Sequence, residues 1–414
     1  MQPYAWGSRH AIAEIQGRPA PAPGPEAELW MGAHPSAPSG LRRDGRPATL
    51  DQVIAADPER ELGPGCTARF GPRLPFLLKI LAPEKALSIQ VHPGRAQAEA
   101  GYRAETERGV APGDRNYADD WPKPELLCAL TRFEALAGFR PTGDVLALLA
   151  ELDVPELQPV AGDLAAAPGP DGQASALRRI LGWPADQRDR LLAGVLAACA
   201  RVEAAGGRYA AACGAVLRIA ADHPGDLGLV AALLLNYTVL APGEALFMAA
   251  GGLHAYIKGV GVELMANSDN VLRAGFTGKR IDVPELLRLV DPAVLVPVIP
   301  PPRLTAHVAG YDTPAPEFRL CRVEPDGGEV RLPDAGPRIV LCIDGAATLR
   351  AQDGDSLKLG RGESCFVPAA DGQVTVSGQA VLFAAASGCT AQLGSTSLRR
   401  PRETRPGGAP RTDC

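Results

Sequence analysis

The chain has 414 residues, more than one compact hydrophobic core usually supports, so we expect two or three domains. Its 42 basic and 47 acidic residues give a net charge of −5 without a basic stripe, which argues against a nucleic-acid partner. Hydrophobic residues form 46% of the chain, which is enough to fill a folded core.

The cysteines and the N-terminus indicate the compartment. The 9 cysteines are widely spaced and include no Cys-x-x-Cys pair, which is typical of reduced intracellular thiols. The first residues have neither the basic nor the apolar segment of a secretory signal. Gly, Pro or charged residues interrupt every long apolar stretch before it reaches membrane-spanning length. We therefore expect a soluble cytoplasmic protein with no membrane partner.

Two short apolar runs separated by turn residues, 74–81 and 86–92, have the pattern of strands. In the second run Ser88, Gln90 and His92 are two positions apart, so a strand would place their side chains on one face. A polar face on a core strand is costly unless it lines a wet cavity or a metal site. The spacing therefore predicts a wet cavity or a metal site beside this strand.

The composition changes between residues 141 and 235. Stretches rich in Ala and Leu recur with helical spacing at 145–152, 189–205 and 227–235, and linkers rich in Gly and Pro separate them. We predict an α-helical subdomain inserted at 141–235 between two β-rich parts of the chain.

Strand-like sequence resumes at 236–240 and 245–249, and residues 284–292 have helical spacing. Beyond Tyr311, short apolar runs between turn signals predict an antiparallel sandwich or jelly roll, with strands at 338–343, 347–351, 363–367, 373–376 and 380–385. The predicted organisation is mainly β, with a first β-rich domain at 1–140 and 236–310, the helical insertion, a C-terminal β domain at 311–395, and a disordered tail at 396–414.

Four potential metal ligands are scattered over segments that read as strands or strand ends: Gln90, His92, Glu125 and His254. A divalent cation needs three or four N or O donors converging on one point, and imidazole with carboxylate suits zinc. The set points to a metal-assisted enzyme. His10, His223 and His307 have no such context, and we interpret them as surface or packing residues.

Six motifs, in chain order, resemble those of type I mannose-6-phosphate isomerases. They are Trp6-Gly7-Ser8, Leu29-Trp30-Met31-Gly32-Ala33-His34-Pro35, Leu87-Ser88-Ile89-Gln90-Val91-His92-Pro93, Lys123-Pro124-Glu125, Gly252-Leu253-His254-Ala255-Tyr256, and the stretch from Met265 to Gly275. The resemblance covers residues from about 2 to 390. It implies a double cupin, built of two jelly-roll β-barrels, with a helical insertion.

The resemblance also implies a function. The family interconverts D-mannose 6-phosphate and D-fructose 6-phosphate, and its ligand motifs match Gln90, His92, Glu125 and His254 here. It thus implies one Zn²⁺ per chain and a small sugar phosphate as the partner, and we expect a monomer. Some members carry a histidine directly before the lysine of the Lys-Pro-Glu motif, where this chain has Pro122, so no role of that histidine is carried over.

The expected chemistry is proton transfer between C2 and C1 through a cis-enediol, which requires a base within hydrogen-bond reach. Candidates are Glu263, Asp269 and Lys123; Lys123 could instead act in ring opening or only position Glu125. Arg273 matches the arginine of the family motif and could grip phosphate or steady an enediolate oxygen. The candidates for substrate binding are Ser88, Lys79, Lys279, Tyr256 and His34.

Two other functions fit the same residues. A two-His-one-carboxylate set lies within the four ligands, so another metal-dependent cupin, such as an iron dioxygenase or a sugar epimerase, is one alternative. The second is a non-catalytic cupin that binds a sugar phosphate. Retention of Glu263, Asp269 and Arg273 beside the metal set argues against this second alternative.

Overall fold

The computed structural model describes residues 1–43, 45–301 and 303–388. The α-helices of this part of the chain are α1 Ala11–Ile15, α2 Leu50–Ala56, α3 Pro58–Leu62, α4 Pro64–Phe70, α5 Arg95–Glu107, α6 Thr142–Leu152, α7 Gln158–Ala166, α8 Pro170–Leu181, α9 Arg188–Ala205, α10 Ala210–Asp222, α11 Gly228–Ala231 and α12 Val283–Leu289. We call residues 142–234, which lie between two strands and contain α6 to α11, the helical segment.

The strands are β1 Glu28–Met31, β2 Gly40–Arg43, β3 Arg46–Thr49, β4 Phe76–Leu81, β5 Ile89–Val91, β6 Glu125–Ala129, β7 Phe133–Phe139, β8 Leu235–Leu240, β9 Ala245–Met248, β10 His254–Lys258, β11 Gly261–Ala266, β12 Leu272–Gly275, β13 Val298–Ile299, β14 Val308–Tyr311, β15 Arg319–Val323, β16 Glu329–Arg331, β17 Arg338–Arg350, β18 Ser356–Gly360, β19 Ser364–Val367 and β20 Thr375–Ala386. They form a six-stranded sheet (β1-β4-β11-β6-β9-β13), a five-stranded sheet (β12-β5-β10-β7-β8), a seven-stranded C-terminal sheet and the β2–β3 hairpin.

The six-stranded and five-stranded sheets face each other. Leu81 and Leu127 from the first sheet share an apolar cluster with Phe133, Ala135 and Tyr256 from the second. Because strand side chains alternate between faces, every second residue of these strands points into the space between the sheets. This alternation decides which polar residues enter the interior.

The outer faces of both sheets are covered. Ile89, Val91 and Ala255 of the five-stranded sheet pack in one core with residues of the helical segment, such as Leu148 and Leu191. The outer face of the six-stranded sheet packs instead against the C-terminal sheet, in a core that includes Ile80, Leu264, Phe318 and Leu341. With both faces buried, the strands of the two inner sheets are almost continuously apolar where they carry no functional residue.

Most elements lie close to their predicted positions, and the differences have local causes. The predicted strands 338–343 and 347–351 are one strand, β17, whose pairing with β20 shifts register between Cys342 and Asp344. Likewise 373–376 and 380–385 are joined in β20. Glycines between the predicted runs, such as Gly345 at φ 73°, are typical of turns. Here they lie within a strand whose backbone pairing with its neighbour continues past them.

The predicted disordered tail at 396–414 lies outside the described residues. Within the described ranges, no helix has both the length and the apolar character that crossing a bilayer requires.

Candidate metal centre and cavity

Three potential metal ligands meet in the space between the two inner sheets. Glu125 is the first residue of β6, His254 is the first residue of β10, and His92 directly follows β5. Glu125 Oε1 lies 3.2 Å from His92 Nε2, and Glu125 Oε2 lies 3.3 Å from His254 Nε2. The candidate ligand atoms of the three residues all lie within 4.8 Å of one another, so a single cation could contact all of them.

Three of the atoms that face one another in this cluster have no hydrogen-bond partner among the described residues. Nε2 of both histidines and one Glu125 oxygen are buried and accept or donate no hydrogen bond among the described residues. The other ring nitrogens are held, because His92 Nδ1 lies 2.7 Å from Asn270 O and His254 Nδ1 lies 3.0 Å from Gly252 O. A carbonyl only accepts, so each Nδ1 carries the proton and each Nε2 offers a lone pair to the centre. The residues therefore fit a divalent cation.

The charge states of the cluster also suit a cation. Burial lowers the pKa of His92 to about 4, so the ring is neutral at pH 7. Burial by itself would raise the pKa of Glu125, but its interactions with His92 and Lys123 outweigh burial and hold that pKa well below its usual range. Lys123 Nζ lies 3.2 Å from Glu125 Oε1. The centre thus presents the neutral imidazole of His92 and the ionised carboxylate of Glu125, the forms that bind metals.

Gln90 reaches the same region by strand pairing. It lies opposite His254 in the pairing of β5 with β10 and opposite Arg273 in the pairing of β5 with β12. It is 9% exposed and lines the cavity described below. Its neutral amide would leave a divalent cation bound by one carboxylate with net positive charge. Its role as a ligand remains a prediction.

The centre borders a cavity of about 810 Å³ between the two inner sheets. The predicted residues that line this cavity are His34, Lys79, Ser88, Gln90, Lys123, Glu125, Tyr256, Glu263, Asp269, Arg273 and Lys279. His92 and His254 lie behind the lining and are at most 1% exposed. The tertiary structure thus brings every predicted site residue to one place, with a volume that suits a small polar ligand.

A buried charge cluster occupies one wall of the cavity. Lys79 Nζ lies 2.8 Å from Glu263 Oε2 and 3.5 Å from Glu28 Oε2, and Trp30 donates a hydrogen bond to Glu28. Burial would lower the pKa of Lys79, but the two carboxylates raise it above its usual value. Burial raises the pKa of Glu263. Glu263 is therefore more basic than an exposed glutamate, while the ammonium group of Lys79 holds it in place.

Tyr256 lies beside this cluster. Its hydroxyl is buried and has no hydrogen-bond partner among the described residues. Burial, and then the nearby carboxylates Glu263 and Glu125, raise the pKa of Tyr256 well above its usual value, so the hydroxyl keeps its proton. An unpartnered buried hydroxyl in a cavity wall is available to donate a hydrogen bond to a bound ligand.

Arg273 provides the cavity with a cation that forms no ion pair with any acidic residue the structure describes. It is half-buried, and burial alone lowers the pKa of its guanidinium, with no contribution from a charged neighbour. An arginine remains protonated under such a shift, since its ordinary pKa lies far above neutral pH. Because Arg273 lies opposite Gln90, this charge faces the region of the metal centre.

His34 and Asp269 form a polar pair at another wall. His34 Nε2 lies 3.3 Å from Asp269 Oδ1, and His34 Nδ1 lies 2.8 Å from the hydroxyl of Ser36. The hydrogen bond with His34 lowers the pKa of Asp269. His34 itself is 3% exposed, so it holds the Asp269 carboxylate at the cavity from behind.

Sequence reasoning missed several residues that complete the site. Asp119 accepts hydrogen bonds at 2.8 Å from the Ser268 hydroxyl and from the Asp269 N–H, and the Asn270 side chain donates to the Asp119 carbonyl at 2.8 Å. Asn270 in turn orients His92. These partners are about 150 residues apart in the chain, so no local pattern could have revealed them. Glu28 and His223 were also missed, and both line the cavity.

The fold and the site define a class of protein. Paired antiparallel sheets enclose a buried centre of two histidines and one carboxylate, beneath a cavity lined by the arginine Arg273. This is the arrangement of a metal-centred β-sheet protein that binds a small polar molecule.

Comparison with known proteins identifies the family. Residues 1–142 match the family described as phosphomannose isomerase type I, catalytic domain, and residues 332–386 match the mannose-6-phosphate isomerase cupin domain. The chain is 36% identical to mannose-6-phosphate isomerase of Salmonella typhimurium over 390 residues, which is 91% of this chain and 95% of the relative. It is 36% identical to the Bos taurus protein of that name over 381 residues, 86% of each chain. The chain belongs to the type I mannose-6-phosphate isomerase family.

Solved structures agree with this assignment. A crystal structure described as mannose 6-phosphate isomerase with zinc bound has a TM-score of 0.85 at 34% identity, covering 93% of this chain and 97% of that one. The crystal structure of a mutant of phosphomannose isomerase from Salmonella typhimurium has a TM-score of 0.86 at 34% identity, and it also covers 93% of this chain and 97% of that one. The similarity therefore extends over the whole body of the fold and includes the predicted cupin architecture of the C-terminal part.

Proposed function

We propose that this protein is a zinc-dependent aldose–ketose isomerase that interconverts D-mannose 6-phosphate and D-fructose 6-phosphate through a cis-enediol. The observation that carries the proposal is the set of buried ligand atoms of His92, Glu125 and His254, which have no hydrogen-bond partner among the described residues, beside a cavity lined by Arg273. Family membership and the zinc-bound relative support it.

One Zn²⁺ per chain would be held by Gln90, His92, Glu125 and His254. Two imidazole nitrogens and a carboxylate are ordinary zinc ligands, and their unpartnered atoms converge from both inner sheets. When bound, zinc would serve as a Lewis acid toward the carbonyl and hydroxyl oxygens at C1 and C2 of the sugar. Lys123, which contacts Glu125, would act mainly by positioning that ligand.

Glu263 is our choice for the group that takes the proton from C2 and returns it to C1. Burial raises its pKa, which makes it a stronger base than an exposed glutamate, and Lys79 stabilises its ionised form. Asp269 is the competing carboxylate, but its pKa is lowered by His34, so it is the weaker base. The pairs of Lys79 with Glu263 and of His34 with Asp269 would hold both carboxylates in place while the substrate binds.

Arg273 and Lys279 would divide the recognition of negative charge. Arg273 lies opposite Gln90, close to the proposed zinc ligands, so it would steady the enediolate oxygens. Lys279 is exposed at the opening of the cavity, where it would bind the phosphate group. Lys79 is occupied by Glu28 and Glu263 and is less available for phosphate.

The remaining predicted residues would bind the sugar. Ser88 and Tyr256 line the cavity with hydroxyl groups, and His34 holds Asp269 at its wall. Each of these groups can exchange hydrogen bonds with sugar hydroxyls once water has left the cavity.

We also propose that the body is a double cupin with an inserted helical subdomain, divided at about 1–140 with 236–310, 141–235 and 311–395, and that it acts as a monomer. The packing of the helical segment on one sheet and the C-terminal sheet on the other supports this division. Size-exclusion chromatography with light scattering tests the monomer.

A coupled assay tests the function. Purified protein should convert mannose 6-phosphate to fructose 6-phosphate, lose that activity to a chelator, and regain it with added zinc. Glu125→Ala and His254→Ala should lose zinc and activity together. Full activity in metal-free Glu125→Ala protein would reject the metal assignment.

Iron in elemental analysis together with oxygen uptake would favour a dioxygenase, and phosphate binding without turnover would favour a binding protein.

A further inference from the structure

The loop at residues 275–279, which we call the mouth loop, has an unusual conformation. Phe276 has φ 55°, a left-handed backbone that a bulky residue adopts only when its surroundings enforce it. Its ring is 3% exposed, and the loop from Phe276 to Lys279 lines the opening of the cavity. The residues that hold Phe276 in this left-handed conformation therefore also determine the position of Lys279.

A carboxylate of the helical segment holds the mouth loop. One oxygen of Asp226 accepts a hydrogen bond from the Gly228 N–H at 2.6 Å, and the other accepts from the Thr277 N–H at 3.3 Å. Asp226 thus uses both oxygens to join the start of α11 to the mouth loop. Only a carboxylate offers two acceptor oxygens in this geometry.

The two backbones touch at a pair of glycines. A Cβ on Gly275 would lie 2.6 Å from Gly228 Cα, and a Cβ on Gly228 would lie 2.9 Å from Gly275 Cα. Neither position has room for a side chain. This contact brings Asp226 within reach of the Thr277 N–H, and it occurs in the segment just before β8.

The same stretch of the helical segment contacts both edges of the opening, the mouth loop and the segment that contains Lys85 and Ala86. The His223 ring lies 5.5 Å from the Phe276 ring, and His223 Nε2 lies 3.4 Å from Ala86 O. Asp222 Oδ1 lies 2.7 Å from Lys85 Nζ. Residues 222–228 therefore bridge the edge with Lys85 and the edge with Lys279, and both lysines line the cavity opening.

We propose that residues 222–228 are the structural support of a phosphate subsite, with Asp226 and His223 as positioning residues that set the separation of the two lysine-bearing edges. This inference rests on the proposed function and names the part of that site that recognises the phosphate monoester. A dianionic phosphate suits an opening with a lysine on each side, and Asp222 keeps Lys85 in place until an anion binds. The helical segment is thereby part of the substrate site.

Asp226→Asn tests the inference. An amide keeps one acceptor oxygen and turns a donor toward the second N–H, so the bridge between Gly228 and Thr277 is broken. The KM for mannose 6-phosphate and the Kd for inorganic phosphate, measured by calorimetry, should both rise about tenfold, with kcat within about twofold, because the lost interaction acts on binding and not on the transition state. Zinc content should not change.

His223→Ala is the second variant, since it removes a half-buried side chain and leaves Asp226 intact. It should raise the same two constants about threefold. Asp171→Asn, which changes an exposed aspartate elsewhere in the helical segment, is the matched control and should change neither.

Three results would overturn the inference: wild-type protein that binds no phosphate, a folded Asp226→Asn with an unchanged phosphate Kd, or a fall in kcat with binding unchanged. If Asp226→Asn does not fold, an unchanged phosphate Kd in His223→Ala overturns it. Absence of isomerase activity in the wild type would refute the proposed function alone, because phosphate binding is measured without turnover.

Discussion

The charged residues of the cavity differ in whether their charge is already balanced. Lys79 is held between Glu28 and Glu263, whereas Arg273 has no charged neighbour that shifts its pKa. A balanced cation fixes the position of its partner carboxylate, and an unbalanced one attracts an incoming anion. The two kinds of residue should therefore respond differently to substitution.

Arg273→Ala should keep its zinc and lose turnover. Removal of a preorganised cation that stabilises developing negative charge costs about 10²–10³ in kcat. Zinc content by elemental analysis and kcat by the coupled assay provide the check. Arg280→Ala, which removes an exposed arginine seven residues along, is the control. Loss of zinc in Arg273→Ala would instead indicate a structural role at the centre.

Glu263→Gln and Asp269→Asn compare the two candidate bases. Since burial raises the pKa of Glu263 and His34 lowers that of Asp269, Glu263→Gln should cost about 10²–10⁴ in kcat and Asp269→Asn clearly less. Deuterium exchange at C2 of the substrate reports the proton-transfer step directly. Exchange that survives in Glu263→Gln but stops in Asp269→Asn would reverse the assignment.

Individual strands serve the core and the site at the same time. In β4, Leu77, Lys79 and Leu81 line the cavity, while Leu78 and Ile80 pack against the C-terminal sheet. The period of two separates these functions on a six-residue strand. Substitutions on the face that packs against the C-terminal sheet should therefore affect stability, and substitutions on the cavity face should affect activity.

Ile80→Ala should destabilise the protein and leave zinc binding intact. Ile80 is 0% exposed, so truncation removes buried methyl groups and leaves a cavity, at a cost of about 2–5 kcal/mol. Urea titrations measure this loss in the free energy of unfolding. Leu295→Ala, at a position 82% exposed, should change stability little. A fall in zinc content in Ile80→Ala would show that the two faces are not independent.

At the scale of the molecule, the metal centre joins the two inner sheets. Glu125 belongs to β6 of the six-stranded sheet, while His254 belongs to β10 of the five-stranded sheet and His92 follows β5. A cation bound by all three would tie the layers together, so metal binding and folding should be coupled.

The metal-free protein should lose stability as the pH falls from about 6.5 to about 4. The pKa of His92 is about 4 when folded, below its usual 6.5, so in this range the unfolded chain binds a proton that the folded chain does not. That difference lowers the free energy of unfolding by on the order of 3 kcal/mol across the range.

His92→Gln should flatten this dependence in chelator-treated protein, and His10→Gln, at an exposed position, should preserve it. Urea titrations at several pH values measure the slope. Equal slopes in His92→Gln and wild-type protein would contradict the low pKa of His92.

The fold was predictable where periodicity is strong. The helices near 145–152 and 189–205 and the strand near 74–81 are present within a few residues of their predicted bounds. Helix α5 was missed because its hydrophobic face is weak and few of its residues are buried. The joined strands β17 and β20 were missed because glycine is a turn signal in sequence and also a strand residue at a bulge.

For the site, the sequence alone determined the kinds of side chain and their spacing along each strand, since alternation and short motifs are local properties. The tertiary structure decided which charges are paired and which of the described nitrogens lack hydrogen-bond partners. It also decided that Asp119 contacts Asp269 and that Glu28 and His223 line the cavity. Those contacts join segments far apart in the chain, and only packed sheets bring such segments together.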